Sequence, residues 1–391
     1  MLESQKSDAY TYGDIASICD ALNEGKKVDS QGNAGKINTK VNLECVDESF
    51  HRIASDFNKL QDEMAKTSVT DSNSKLSYLN TCRYPGQAIL MDSLVHSKWA
   101  RAPTEDHFSR MPVTAPSQAG PSQPKFLHMN IVHDFYNRPR YLLCQCPKEQ
   151  EMELFLHTII EQKVKLIVIP TAQTDLSAPE TKFHNYFSRC GSDQTERKEY
   201  GQCSLEMIGQ VKRSSDYVIR EYRVHIGDTK FPNTRTHKIY VFHYTSMDDL
   251  DTAKASRHMS KMFVSIKQDI MIKISSQEKL LFHCSDGIGR SATLLASFLC
   301  MEYLSIVGFP INLRFVVSRL RTYRYGAVQS CDQFVTVAAS IRYNCDMGFG
   351  APTERPQSAP LTGKVDASKA DTVSKEGKEV VQRKGKEREA V

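Results

Sequence analysis

The first residues, MLESQKSDAYTYGD, lack the apolar core of a secretory signal, and nowhere does the chain carry the roughly 18 consecutive apolar residues of a membrane span. These absences predict no transmembrane segment and a place in the cytoplasm. Cysteines are present, 11 of them, but they are odd in number and lack the short, regular spacings of a disulfide framework, as expected of reduced thiols. Cys144 and Cys146 form the tightest pair, without a second Cys/His pair at zinc-finger distance, so no metal site is expected there. Excess charge of one sign is also missing. A formal net charge of +5 over 391 residues argues against nucleic acid as the default partner. There are no internal repeats.

What the chain does contain is one large stretch of ordinary globular composition between two polar ends. Residues 1–46 are rich in Lys, Asn, Ser and Gly apart from a short apolar patch around Ile15 to Leu22, and are expected to form a flexible arm. From Phe50 the residues Phe50, Ile53, Phe57 and Leu60 recur at spacings of three and four, the pattern of an amphipathic helix that opens a domain over 47–346. Residues 102–124 are loaded with Pro, Ser and Gln and read as a surface insertion; 347–391 have no apolar periodicity and read as a disordered, charged tail. Within the domain the runs RYLLCQC, KLIVIPT, DYVIREYRV, HKIYVFHY and KLLFHC are strand-like, with the helical stretch ELFLHTIIEQ between the first two. Three apolar helical segments follow Ser291: ATLLASFLCMEYLSIV, NLRFVVSRLRTY and CDQFVTVAASIRY. Alternating elements of this kind predict an α/β fold, a central mixed, twisted sheet flanked by helices.

The segment KLLFHCSDGIGRS sets Cys284 in a bend between a buried strand and a buried helix. Backbone N–H groups of such a bend converge at a helix N-terminus and hold an anion, and Gly287 and Gly289 permit the curvature. The same positive potential, with Arg290 six residues after the cysteine, would hold Cys284 as thiolate, its nucleophilic form. Arg290 is placed to grip a phosphate through two parallel N–H bonds.

This text resembles the HCxxGxxRS motif of the cysteine-dependent protein tyrosine phosphatases. Asn80-Thr81-Cys82-Arg83-Tyr84 resembles that family's phosphotyrosine-recognition loop, N-x-R-Y. RYLLCQCP (Arg140 to Pro147) resembles its Y-I-x-T-Q-G-P strand, and KFHNYF (Lys182 to Phe187) its K-C-x-x-Y-W segment. HYTSMDDL stands where the movable acid loop Y-T-x-W-P-D is expected, and AVQSCDQF carries Gln329 and Gln333 at the places of Q-T-x-x-Q. The resemblance runs from about Phe50 to Asn344. It implies hydrolysis of phosphotyrosine in proteins through a cysteinyl-phosphate, without metal or cofactor. Cys284 would attack phosphorus, Arg290 bind the phosphoryl oxygens and Ser291 hydrogen-bond the sulfur. Asp249 would be the acid, with Asp248 as its rival, and Gln329 and Gln333 would position water. Tyr84 would wall the aryl slot, and His283, Ser285, Asp286, Gly287, Ile288 and Gly289 would shape the phosphate cradle.

Three departures bear on activity. Met247 and Asp248 stand in place of the acid loop's Trp and Pro, and Tyr84 is followed by Pro85-Gly86 where an acidic residue is expected. Asp286 occupies a position where the family usually has Ala, and an Asp there resembles inactive receptor-type relatives. The myotubularin lipid phosphatases share HCSDG, but Ile288-Gly289 does not continue their motif. An inward-facing carboxylate about 5 Å from thiolate and phosphate would oppose both by roughly 3 kcal/mol at an effective dielectric of 20. Two expectations follow: a phosphatase of reduced activity, or a pseudophosphatase that binds phosphotyrosine or a protein partner.

Overall fold

An eight-stranded mixed sheet carries the domain in the computed structural model, which describes residues 9–29, 48–66, 76–78, 88–90, 127–172, 183–187, 197–227, 235–245 and 252–349. Its strands are β3 (Met129–Val132), β4 (Tyr141–Cys144), β5 (Val164–Pro170), β6 (Arg197–Tyr200), β7 (Cys203–Arg213), β8 (Tyr217–Ile226), β9 (Arg235–Tyr244) and β10 (Lys279–His283). They lie in the order β3-β4-β10-β5-β9-β8-β7-β6. The central four, β4, β10, β5 and β9, run parallel, and both sides of the sheet end in antiparallel strands. Parallel strands must be covered on both faces, which is why β4, β5 and β10 read as continuous apolar runs. A separate antiparallel pair, β1 (Leu76–Tyr78) and β2 (Ala88–Leu90), pairs Tyr78 with Ala88.

The helices are α1 (Tyr12–Asp29), α2 (Glu48–Lys66), α3 (Met152–Glu161), α4 (Thr252–Ser265), α5 (Arg290–Val307), α6 (Leu313–Arg321) and α7 (Cys331–Asp346). One hydrophobic cluster joins Phe242, Leu280 and Phe282 of the sheet to α1, α2 and α4 to α7, and a second joins Leu142, Ile167 and Leu281 to α3. Alternate residues of β10 therefore serve opposite layers. Among the described residues α5 alone has the length and hydropathy of a membrane span, and it is a buried core helix here. Side-chain caps start α6, where Asn312 accepts from the Phe315 amide at 2.8 Å, and α7, where Ser330 accepts from the Gln333 amide at 3.2 Å.

The predicted helix on α2 is present, with Ile53, Phe57 and Leu60 buried on one face. Part of the expected N-terminal arm is instead regular structure. The apolar patch belongs to α1, whose Ile15 and Ile18 are fully buried, and Tyr10 forms a two-bond bridge with Ile311 at 2.7 and 2.9 Å. The Tyr10 hydroxyl also donates to Asp56 at 2.9 Å, tying α2 to the same corner. The patch was too short to overrule the polar residues around it in the sequence; burial against α7 and α4 supplies what intrinsic propensity does not. Strands β3, β6 and β7 and helix α4 were not anticipated either. The 102–124 insertion and the 347–391 tail lie outside the described residues.

Candidate active site

β10 delivers His283 and Cys284 to the edge where the parallel strands end, and α5 begins at Arg290, so the loop between them is closed by two rigid elements. Its floor is pinned from every side. Cys146 donates its amide to the Ser285 carbonyl at 3.0 Å, and Val328 donates to the Ile288 carbonyl at 2.9 Å. Gly287 has φ +75°, and a Cβ there would stand 2.2 Å from the Cys144 carbonyl oxygen, so glycine is required both for the turn and for contact with β4. A Cβ on Gly289 would stand 2.6 Å from Gln329 Oε1 and 3.1 Å from Gln333 Nε2. Both glutamines thus lie over the loop, locked together by a 2.8 Å bond from the Gln329 amide to Gln333 Oε1.

Cys284 is buried at the bottom. Its Sγ lies 3.2 Å from Ser291 Oγ and 3.2 Å from Asp286 Oδ1. The Asp286 carboxylate faces inward: the same Oδ1 accepts from the amides of Ile288 at 3.1 Å and Gly289 at 3.3 Å. Burial, with the Asp286 charge second, pushes the thiol up to about 11; Arg290 and Ser291 pull the other way without compensating. Burial first, and the inward carboxylate second, thus oppose the resting thiolate expected from the sequence. His283 stands behind the loop, its Nε2 bonded to the Tyr186 hydroxyl at 2.6 Å and its Nδ1 3.2 Å from the Cys284 carbonyl. With Tyr186 donating to Nε2, the ring proton sits on Nδ1 and donates to that carbonyl.

Arg324 was missed in the sequence. Only 1% exposed, its guanidinium donates to the carbonyls of Gly287 at 3.3 Å, Asp286 at 3.0 Å and His128 at 3.2 Å, and to Asn130 Oδ1 at 2.7 Å. It takes the loop's carbonyls outward and so leaves its amides facing in. No composition or spacing signal marks it, since RTYRYG looks like a basic surface turn. Tyr84 falls between β1 and β2, and Met247, Asp248 and Asp249 fall between β9 and α4; all four lie outside the described residues. The structure thus gathers His283 through Ser291 with Gln329 and Gln333, and leaves the positions of Tyr84, Asp248 and Asp249 unspecified.

The family model described as protein-tyrosine phosphatase matches residues 101–342, more than half of the chain. The chain belongs to the protein-tyrosine phosphatase family. Among curated relatives it is 22% identical over 209 residues to tyrosine-protein phosphatase non-receptor type 61F of Drosophila melanogaster, covering 53% of this chain and 36% of that protein. It is 24% identical over 214 residues to receptor-type tyrosine-protein phosphatase eta of Gallus gallus, covering 54% of this chain and 14% of that protein. The chain thus spans about a third or less of these relatives' lengths. Among solved structures, PTPN18 in complex with HER2-pY1196 phosphopeptides superposes with a TM-score of 0.58 at 18% identity, covering 75% of this chain and 92% of that one. That likeness confirms the protein tyrosine phosphatase fold, the mixed sheet with flanking helices.

Proposed function

We propose that this chain hydrolyses phosphotyrosine in proteins inside the cell through a cysteinyl-phosphate, at a rate held down by Asp286. The observation that carries this reading is the contact of Cys284 Sγ with Ser291 Oγ at 3.2 Å, beneath a loop overlain by Gln329 and Gln333. Cys284 first loses its thiol proton to water; the thiolate Sγ then attacks phosphorus, the bond from phosphorus to the tyrosyl oxygen breaks, and Asp249, or its neighbour Asp248, gives that oxygen a proton. Water held by Gln329 and Gln333 then attacks the cysteinyl-phosphate. The acid takes back a proton, the S–P bond breaks, and Ser291 donates to the departing sulfur. Arg290 clamps the phosphoryl oxygens, and Tyr84 walls the ring. Phosphotyrosine peptides, the class bound by PTPN18 in its solved complex, are the substrate class.

The Asp286 contacts favour a second reading, a pseudophosphatase that binds phosphotyrosine or a protein partner and turns over little. In the resting loop the amides of Ile288 and Gly289 are engaged by a carboxylate, and the thiol keeps its proton. Hydrolysis of a small aryl phosphate by the full chain, beside Cys284→Ser, separates the two. Turnover lost in Cys284→Ser supports the enzyme. No turnover in either, with phosphopeptide binding retained, supports the binding module. Asp249→Ala and Asp248→Ala identify the acid: the true donor's loss slows poor leaving groups more than good ones.

A further inference from the structure

Away from the cysteine loop, α3 and the turn joining β6 to β7 bring three different donor types together. Glu153 and His157 stand four residues apart on α3 and so share one helix face, and Cys203 is the first residue of β7. One donor atom from each lies within 4.8 Å of both others. His157 and Cys203 are 3% and 1% exposed, while Glu153 is partly open to solvent. The Gln202 amide donates to Glu153 Oε1 at 2.9 Å and fixes the carboxylate. Its other oxygen lies over Gly201, where a Cβ would approach to 2.4 Å, so the turn has a glycine where the carboxylate needs room.

We propose that Glu153, His157 and Cys203 form a binding site for a divalent cation of the zinc type, with water from the Glu153 side as fourth ligand. Oxygen, nitrogen and sulfur together select a borderline-soft ion over magnesium or calcium, which take oxygen sets. Tetrahedral bonds of about 2.0 to 2.3 Å place donors about 3.4 to 3.7 Å apart, so separations of up to 4.8 Å close by about 1.4 Å at most, a side-chain adjustment. His157 would bind through a ring nitrogen of its neutral form, and it is buried beside Cys203. A thiol binds such a cation as thiolate, so the cation displaces a proton from Cys203 and binds more tightly as pH rises. The Gln202 amide bond supplies the outer contact that orients a ligating carboxylate.

The test uses the full chain carrying Cys284→Ser, so that the loop thiol contributes nothing, titrated with cobalt(II) and then zinc(II). Expected is one cobalt with intense tetrahedral visible bands and a near-ultraviolet thiolate-to-cobalt band, displaced by zinc. Cys203→Ser removes the thiolate band. His157→Gln and Glu153→Gln each weaken affinity at least about tenfold, since even outer contacts cost that much. No thiolate band, or one that survives Cys203→Ser, overturns the proposal. Glu153→Gln guards against misfolding, because its side chain is partly exposed: unchanged affinity in that variant, with an unchanged melting temperature, also overturns it.

Discussion

The thiol of Cys284 donates to the carboxylate of Asp286 across 3.2 Å, two residues apart in the chain and face to face in the loop. The acid that stands where the family usually has a small apolar residue is therefore in direct contact with the proposed nucleophile and occupies two of the loop's amides. Asp286→Ala is expected to bring the thiol down from about 11 and to raise turnover at neutral pH, by up to about a hundredfold at an effective dielectric of 20. The pH profile of Cys284 alkylation and the rate on an aryl phosphate measure both quantities. A lower thiol pKa with no gain in rate would place the defect in proton delivery to the leaving group.

Stability at alkaline pH reports the same burial. An unfolded thiol ionises near 8.5, whereas Cys284 in the fold ionises at about 11. Between these values the native state binds more protons than the unfolded one, so the contribution is whole below about 8.5 and is lost as pH rises through 11. Cys284→Ser should flatten the fall of the denaturation midpoint over this window by up to one proton's worth. An identical slope in both proteins would mean that Cys284 ionises alike in the two states.

Gly287→Ala is expected to cost about 1–3 kcal/mol in stability from the backbone alone, because an L-residue is forced to φ +75°. The new methyl also stands 2.2 Å from the Cys144 carbonyl, so loop and β4 must part. Urea denaturation measures the first effect and weakened binding of inorganic phosphate the second. Unchanged phosphate affinity would contradict the assignment of this loop as the anion cradle.

Ile15→Ala should destabilise the full chain by about 2–5 kcal/mol, the range for truncating a buried aliphatic side chain. An effect under about half a kcal/mol in thermal or urea unfolding would return α1 to the status of a loose arm.

Those parts of the fold whose physics is local could be read from the text. Buried parallel strands write themselves as apolar runs, as in β4, β5 and β10, and α5 and α7 are apolar over several turns. β7 hid because its second half, from Ile208 to Arg213, is not buried and carries bulges that spoil alternation. Cys284, Arg290, Gln329 and Gln333 were visible through motif spacing. The direction of the Asp286 side chain was not, since it depends on which amides the bend presents. The resting protonation of Cys284 depends on burial first and on that direction second.

Arg324 makes the cradle a long-range object. Its guanidinium joins carbonyls of residues 286 and 287 to β3, so the segment of thirteen residues around Cys284 does not hold its own shape. Grafted onto another strand and helix, or synthesised as a peptide, that segment would keep its nucleophile and lose its affinity. In the growing chain the proposed anion site would come into being only after the turn beyond α6 has docked. Phosphate affinity thereby becomes a late reporter of folding, silent in any intermediate whose sheet is assembled but whose last two helices are not.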